Sequence, residues 1–210
     1  MKIISWNVNG IRSNIVSDGK LSTYGVSVLD ECNMKTLIDK HNPDIICIQE
    51  TKCPIKLGEK ICPDCNVYPY KFWNESKGTG HRGTGYSGTS IWSKVKPLSV
   101  SYEYKGLVNS EGRFMYAEFN DFSLINMYVP NSGTNFEYRT QAWDKNIKEI
   151  INGHIDKPLV VTGDFNVVSE ESDIWNTTTL DKARSPGAFK EERDMFKAFL
   201  ENYTDLYRYM

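Results

Sequence analysis

The chain has 210 residues, 40% of them hydrophobic and 25% charged, with a net charge of −2 and a pI of about 6.0. That length suffices for one sizeable domain, and the composition is ordinary for a globular one. No run reaches the ~18 apolar residues of a membrane span, the N-terminus has no signal-peptide architecture, and five cysteines, an odd count, argue against a disulfide framework.

In chain order, the pattern predicts a strand over 2–8, a helix over 27–40, and strands over 45–49, 67–73, 89–94, 98–105, 113–119 and 122–129. A helix over 136–152, a strand over 158–163 and a helix over 188–201 complete the series. The alternation is clear in "RFMYAEF", where Phe114, Tyr116 and Glu118 oppose Met115, Ala117 and Phe119. The first helix carries Leu29, Cys32, Leu37 and Ile38 roughly on one face. The last opens with Glu191 and Glu192 and has Phe189, Met195, Phe196, Phe199 and Leu200 as its stripe. Strands with helices between them predict sheets covered by helices rather than a closed barrel. There is no repeat, linker or low-complexity segment, so 1–210 reads as a single domain. An intracellular, soluble protein is expected.

Two segments invite functional readings. "NESKGTGHRGTGYSG" is glycine-rich but lacks the Gly-Lys-Ser/Thr ending of a phosphate-binding P-loop. With Lys77, His81 and Arg82 it is either a basic loop for a phosphate backbone or a plain hairpin connection. "CPIKLGEKICPDC" offers three thiols, but structural zinc takes four ligands, so these cysteines are read as reduced and dispensable.

A sharper signal repeats at strand ends. "KIISWNVNG" ends on Asn7 and Asn9, "PDIICIQETK" on Gln49, Glu50 and Lys52, "FSLINMYVPNSG" on Tyr128 and Asn131, and "PLVVTGDFN" on Asp164 and Asn166. One such ending is turn chemistry. Four in one chain point to a polar site at the carboxyl ends of strands, where open α/β sheets place ligands. Carboxylates and amides with few histidines favour a hard cation such as Mg²⁺. Such a cation beside phosphate oxygens suits phosphoryl transfer. Glu50 is the natural ligand. Asp164 suits orienting or deprotonating water, and Asn7, Asn131, Asn166 and Tyr128 suit donation to phosphate oxygens. Trp6, Trp92 and Trp143 are read as core, and Tyr138 and Arg139 as packing support for the site loop.

These motifs resemble exonuclease III and the related apurinic/apyrimidinic (AP) endonucleases, within the wider endonuclease/exonuclease/phosphatase superfamily. "SWNVNGIRS", "PDIICIQETK", "GYSGTSIWSK", "EGRFMYAEF", "YVPNSG", "EYRTQAWD" and "VVTGDFNVV" match in order over nearly the whole chain. The resemblance implies an α/β fold, a four-layer αββα sandwich of the DNase I-like kind. It implies Mg²⁺-dependent hydrolysis (Mn²⁺ substituting) of the phosphodiester 5′ to an abasic site in double-stranded DNA. It also implies 3′→5′ exonuclease or 3′-phosphodiesterase action on 3′-blocked ends; a monomer with no membrane association is expected. By resemblance Glu50 is the metal ligand with Asn7 close by, and Asp164 aligns water with Asn166 on the phosphate. Tyr128 is the active-site tyrosine and Asn131 the asparagine after it. Arg12, Lys52, Tyr86 and Arg113 contact or support DNA.

The family pattern continues with a "Trp-Arg-Leu-Asp-Tyr" strand and a "Ser-Asp-His" motif, neither of which is in this sequence. The chain therefore reads as shortened at its C-terminus, and weak or no activity is expected of it alone. Two other classes compete: a non-catalytic DNA- or protein-binding module that keeps the fold, and a Mg²⁺-dependent phosphodiesterase for a small molecule or lipid. "GYSG" and "EGR" argue against the second of these.

Overall fold

The computed structural model describes residues 1–14, 34–59, 67–78, 83, 85–103, 110–133, 135–153, 157–175 and 185–209. The chain gathers into two compact units. The first comprises Met1–Tyr104, Val108–Tyr128 and Asp156–Asp164; the second comprises Lys105–Leu107, Val129–Ile155 and Phe165–Met210.

The first unit holds two mixed sheets. Sheet A runs β1 (Ile3–Asn7), β2 (Ile45–Gln49), β4 (Thr89–Ser93), β3 (Tyr70–Asn74). Sheet B runs β5 (Ser99–Ser101), β6 (Phe114–Glu118), β7 (Ser123–Tyr128), β8 (Leu159–Asp164). The β1–β2 and β7–β8 pairs are parallel and all others antiparallel. A parallel pair needs a long crossover. Helix α1 (Met34–His41) lies in the first crossover, and a π-helical turn (Tyr138–Trp143) running into α3 (Asp144–Asn152) lies in the second. The short helix α2 (Ile55–Gly58) follows β2.

The unbroken apolar run of β2 is explained by cover on both its faces. Ile45 and Cys47 point between the sheets, against Ile91, Met115, Ala117 and Leu124. Ile46 and Ile48 point the other way, into a cluster with Trp92 and with Met34 and Ile38 of α1. Trp92 and Trp143 are buried and Trp6 packs against the same cluster as Ile46, in keeping with their reading as core. Between β7 and β8 the chain demands glycine. Gly163 has φ 141°, and a Cβ there would come within 1.9 Å of the Met127 carbonyl oxygen.

The second unit contains the π-helical turn, α3, α4 (Lys190–Leu200) and α5 (Leu206–Tyr209). Phe165 packs edge-on to Phe196, and Phe199 stacks on Tyr203. Helix α4 departs from its expected stripe. Its most deeply buried side chains are Glu192 and Arg193, while Met195, Phe196, Phe199 and Leu200 are half-buried. Glu192 is inside because its Oε2 accepts the Gly187 and Phe189 N–H groups, fastening the helix start.

The strands stand within three residues of the predicted ranges at either end, except that β5 ends at Ser101, four residues before the expected 105. The helix expected over 27–40 is described from Met34 on. Cys32, Cys62, Cys65, His81, Arg82 and His154 lie outside the described residues. The architecture is the α/β, two-sheet sandwich with helices that the resemblance implies. No helix among the described residues is long and apolar enough to cross a membrane.

Candidate active site

Four strand ends converge in the first unit. The Asn7 amide, ending β1, donates from Nδ2 to Glu50 Oε1 at 2.9 Å and to Asp164 Oδ2 at 2.7 Å. Glu50 follows β2 and Asp164 ends β8, so one amide joins carboxylates carried by both sheets. The Tyr128 phenol, ending β7 in register with Asp164, also donates to Glu50. Lys52 Nζ sits 2.8 Å from Glu50 Oε2 and also bonds Asn9 Oδ1. Asn9 N–H closes the ring on Asn7 Oδ1 at 3.0 Å.

The backbone here is held in an uncommon state. Asn9, Glu50 and Lys52 have φ of 46°, 52° and 46°, in the left-handed region that non-glycine residues rarely adopt. Main-chain bonds enforce it. Gly10 N–H donates to Glu50 O at 2.7 Å, Thr51 N–H to Gly88 O at 3.1 Å and Lys52 N–H to Ser87 O at 2.8 Å. The loops after β1 and β2 and the segment before β4 thus extend the sheet's ladder past its end.

Charge follows from this geometry. Burial pushes the Glu50 carboxyl up, but hydrogen bonds from Lys52, Asn7 and Tyr128, with the charge of Lys52, outweigh it and hold the group below its usual range. The Tyr128 phenol moves the other way. Burial, its bond to Glu50 and the charge of Glu50 raise it well above the usual tyrosine value, against partial opposition from Arg113. Glu50 is therefore an anion and Tyr128 a neutral donor across the physiological range.

Arg113 is only 3% exposed. Its guanidinium lies 4.5 Å from the Tyr128 ring centre and 5.4 Å from that of Tyr86. It donates to Tyr86 Oη at 3.1 Å and to Tyr128 O at 3.3 Å, while Nε pairs with Glu111 at 2.7 Å. It props the tyrosines from within. Arg12 is exposed on a 3₁₀ turn (Ile11–Asn14).

Gln49, grouped with the site from its place at the strand end, is 1% exposed and faces inward. Its Nε2 donates to Asn126 Oδ1 at 2.7 Å and Ser5 Oγ at 3.0 Å, and Asn126 in turn donates to Ile48 O and Ser90 O. This buried network ties β2 and β4 of sheet A to β7 of sheet B beneath Glu50. The signal for it was Asn126, a polar residue inside an otherwise apolar strand.

Asn131 and Asn166 belong to the second unit. There Asn131 Oδ1 accepts the Gly133 N–H at 2.8 Å, and Asn166, with φ 46°, donates to Val129 O at 2.7 Å. Both neighbourhoods are fixed by Arg139, which is 3% exposed. It donates to the carbonyls of Pro130, Phe165 and Asn166 and pairs with Asp144 at 2.8 Å and Glu192 at 3.4 Å. The support expected of Arg139 is thus hydrogen bonding as much as packing.

The donor set of the first unit suits a hard divalent cation: an ionised carboxylate, a second carboxylate, and amide and phenol oxygens, with neither sulfur nor imidazole. Among the described residues no three His, Cys, Asp or Glu side chains cluster closely enough to cage a metal. Mg²⁺ does not need a cage. It is commonly held by one or two carboxylates with water and substrate phosphate completing its shell. The residues fit.

A family model described as "Endonuclease/Exonuclease/phosphatase family" matches residues 4–208. The chain is 36% identical over 214 residues to the "DNA repair nuclease APEX1" of Danio rerio, covering 99% of this chain and 62% of that protein. It is 32% identical over 216 residues to an exodeoxyribonuclease of Bacillus subtilis, covering 100% of this chain and 75% of that one. An AP endonuclease structure from Archaeoglobus fulgidus superposes with a TM-score of 0.73 at 23% identity, over 100% of this chain and 74% of that one. The chain thus spans less than two thirds of the zebrafish relative's length.

Proposed function

The chain belongs to the endonuclease/exonuclease/phosphatase family, in its exonuclease III and AP endonuclease branch, and on that premise we propose that it is a Mg²⁺-dependent DNA-repair nuclease. It hydrolyses the phosphodiester 5′ to abasic sites in double-stranded DNA and acts 3′→5′ on blocked 3′ ends, as an intracellular monomer. The observation that carries this reading is the single amide of Asn7, shared between Glu50 and Asp164.

Glu50, with Asn7 beside it, would hold the divalent ion, which when bound would supply positive charge to the phosphate oxygens as negative charge develops there. The chain's own groups do the rest. Asp164, oriented by the Asn7 amide, accepts the proton of the attacking water. Tyr128 keeps its phenolic proton and offers it as a hydrogen bond to the phosphate, worth most where water is excluded. Arg113 positions that phenol by stacking beneath it. Lys52, Tyr86 and Arg12 meet the DNA backbone, and Asn131 and Asn166 serve, as in the family motif, as amide donors to phosphate oxygens.

The test is incision of a duplex carrying one abasic-site analogue, with Mg²⁺ and with chelator, by the chain and its Asp164→Asn variant. Metal-dependent cleavage 5′ to the lesion, weak in the chain alone and lost in the variant while folding and DNA binding persist, is the expected result. Cleavage surviving in Asp164→Asn would remove Asp164 from its role. Lesion binding without cleavage by either form would make the chain a binding module.

A further inference from the structure

Lys52 is not placed like a solvated surface lysine. Its N–H is bonded to Ser87 O, its φ of 46° lies in the left-handed region, and Glu50 two residues earlier shares that region at 52°. Two such residues so close together persist only where the surroundings fix them, and such strain gathers at functional sites. The aliphatic stem passes over Gly10, its Cδ 4.0 Å from where a Cβ there would stand. The ammonium rests on Glu50 Oε2 and Asn9 Oδ1. The Glu50 side chain is 16% exposed and that of Lys52 33%, so the pair stands at the rim of the site, with the lysine on the solvent side. Glu50 is thus already neutralised: the Asn7 amide holds Oε1 and the Lys52 ammonium holds Oε2.

We propose that Lys52 is the resident counter-ion of the metal site, occupying Glu50 until a substrate phosphate draws it away. This rests on the reading of Glu50 as a metal ligand. Two cations compete for one carboxylate, so Lys52 weakens metal binding to the free protein. A phosphate diester attracts the ammonium off Oε2 and frees it. Metal and phosphate then bind with positive coupling, each raising the affinity for the other by the same factor. The fixed backbone makes this a switch of one side chain, because neither Glu50 nor Lys52 has to move its main chain. Divalent metal is thereby bound firmly only when DNA is present.

Isothermal titration of Mn²⁺ into the DNA-free protein tests this, with and without dimethyl phosphate as the diester probe, using wild type and the Lys52→Met, Lys52→Arg and Glu50→Gln variants. Lys52→Met should bind Mn²⁺ roughly two- to fivefold more tightly than wild type, the range expected when a partly exposed ion pair is removed from competition. Lys52→Arg, which keeps the charge, should match wild type. Dimethyl phosphate should tighten Mn²⁺ binding more in wild type than in Lys52→Met, where only direct contact between phosphate and the ion remains. Equal or weaker binding by Lys52→Met, or a phosphate effect as large in it as in wild type, would overturn the proposal while leaving the metal reading intact. Wild type that fails to bind, or Glu50→Gln that binds as well as wild type, would overturn the metal reading itself. Thermal melts establish that the variants are folded; if Lys52→Met is not, Lys52→Gln replaces it.

Discussion

Asn7 offers the most direct probe of the site's electrostatics. Its single Nδ2 group serves Glu50 at 2.9 Å and Asp164 at 2.7 Å. Asn7→Asp exchanges that shared donor for a third carboxylate at the same point. Two hydrogen bonds to charged groups disappear, each worth about 1.5–3 kcal/mol. Two like-charge contacts replace them. At roughly 2.8 Å each would cost about 1.5 kcal/mol in a water-like dielectric and about 6 kcal/mol at an effective dielectric of 20. The side chains can swing apart and water can enter, so the lower figure governs. Taking the lower figure for each contribution, we expect Asn7→Asp to lose about 6 kcal/mol of stability at pH 8, and Asn7→Ala, which loses only the bonds, about 3 kcal/mol. The pH dependence separates the two causes. In Asn7→Asp the crowded carboxyls hold a proton at higher pH than they do unfolded, so the folded state binds more protons and gains stability as pH falls. Urea unfolding in chelator at pH 8 and pH 5 should show Asn7→Asp well below Asn7→Ala at the first and close to it at the second. Identical curves for the two variants at both pH values would refute the placement of the Asn7 amide between two carboxylates.

Other consequences can be checked as directly. Tyr128→Phe should slow abasic-site incision about 100- to 1,000-fold, as loss of one oxyanion donor does. Because the phenol's proton is held above its usual range, the ratio of wild-type to variant rate should stay flat from about pH 7 to 10 in a pH–rate series. Arg139→Met strands Asp144 and Glu192 without their cation and should cost about 3–5 kcal/mol in urea unfolding. Asp144→Asn should cost less than about 1 kcal/mol at neutral pH. Its Oδ1 still accepts from Arg139, its Oδ2 is buried with no hydrogen-bond partner among the described residues, and burial already pushes the carboxyl up.

Strand placement was legible because burial on one or both faces writes a period of two, or an unbroken apolar run, into the sequence. β2 shows the limit of that reading. "ICIQE" puts Gln49 and Glu50 side by side as polar ending residues, yet adjacent strand residues face opposite ways. Gln49 went inward to meet Asn126, and Glu50 went to the site. Nothing local to 49–50 marks which is which, since the answer lies in a strand 77 residues further on. Arg113 was legible as part of the constellation but not as a buried prop, because its burial depends on Tyr86 and Tyr128 closing over it. The left-handed turns at Asn9, Glu50 and Lys52 left no trace either: they arise from bonds to Gly88 and Ser87, and only Asn is a residue that favours that region. Glu192 reads as an exposed residue of a helix's first turn until Arg139 is placed opposite it.

The contact at Gly163 bears on how such a site can drift through generations. The Met127 carbonyl stands where the first carbon of any larger residue at 163 would be, and one step further along the same ladder Tyr128 lies opposite Asp164. The two strands engage like a toothed rack, with no intermediate setting. A lineage can exchange side chains around the phenol and the carboxylate, but it cannot slide one past the other by fractions of a residue. A slip of one tooth would set Phe165 against Tyr128 and carry the acid away altogether. Change here is all or nothing, and the spacing of the two groups is inherited as a whole number.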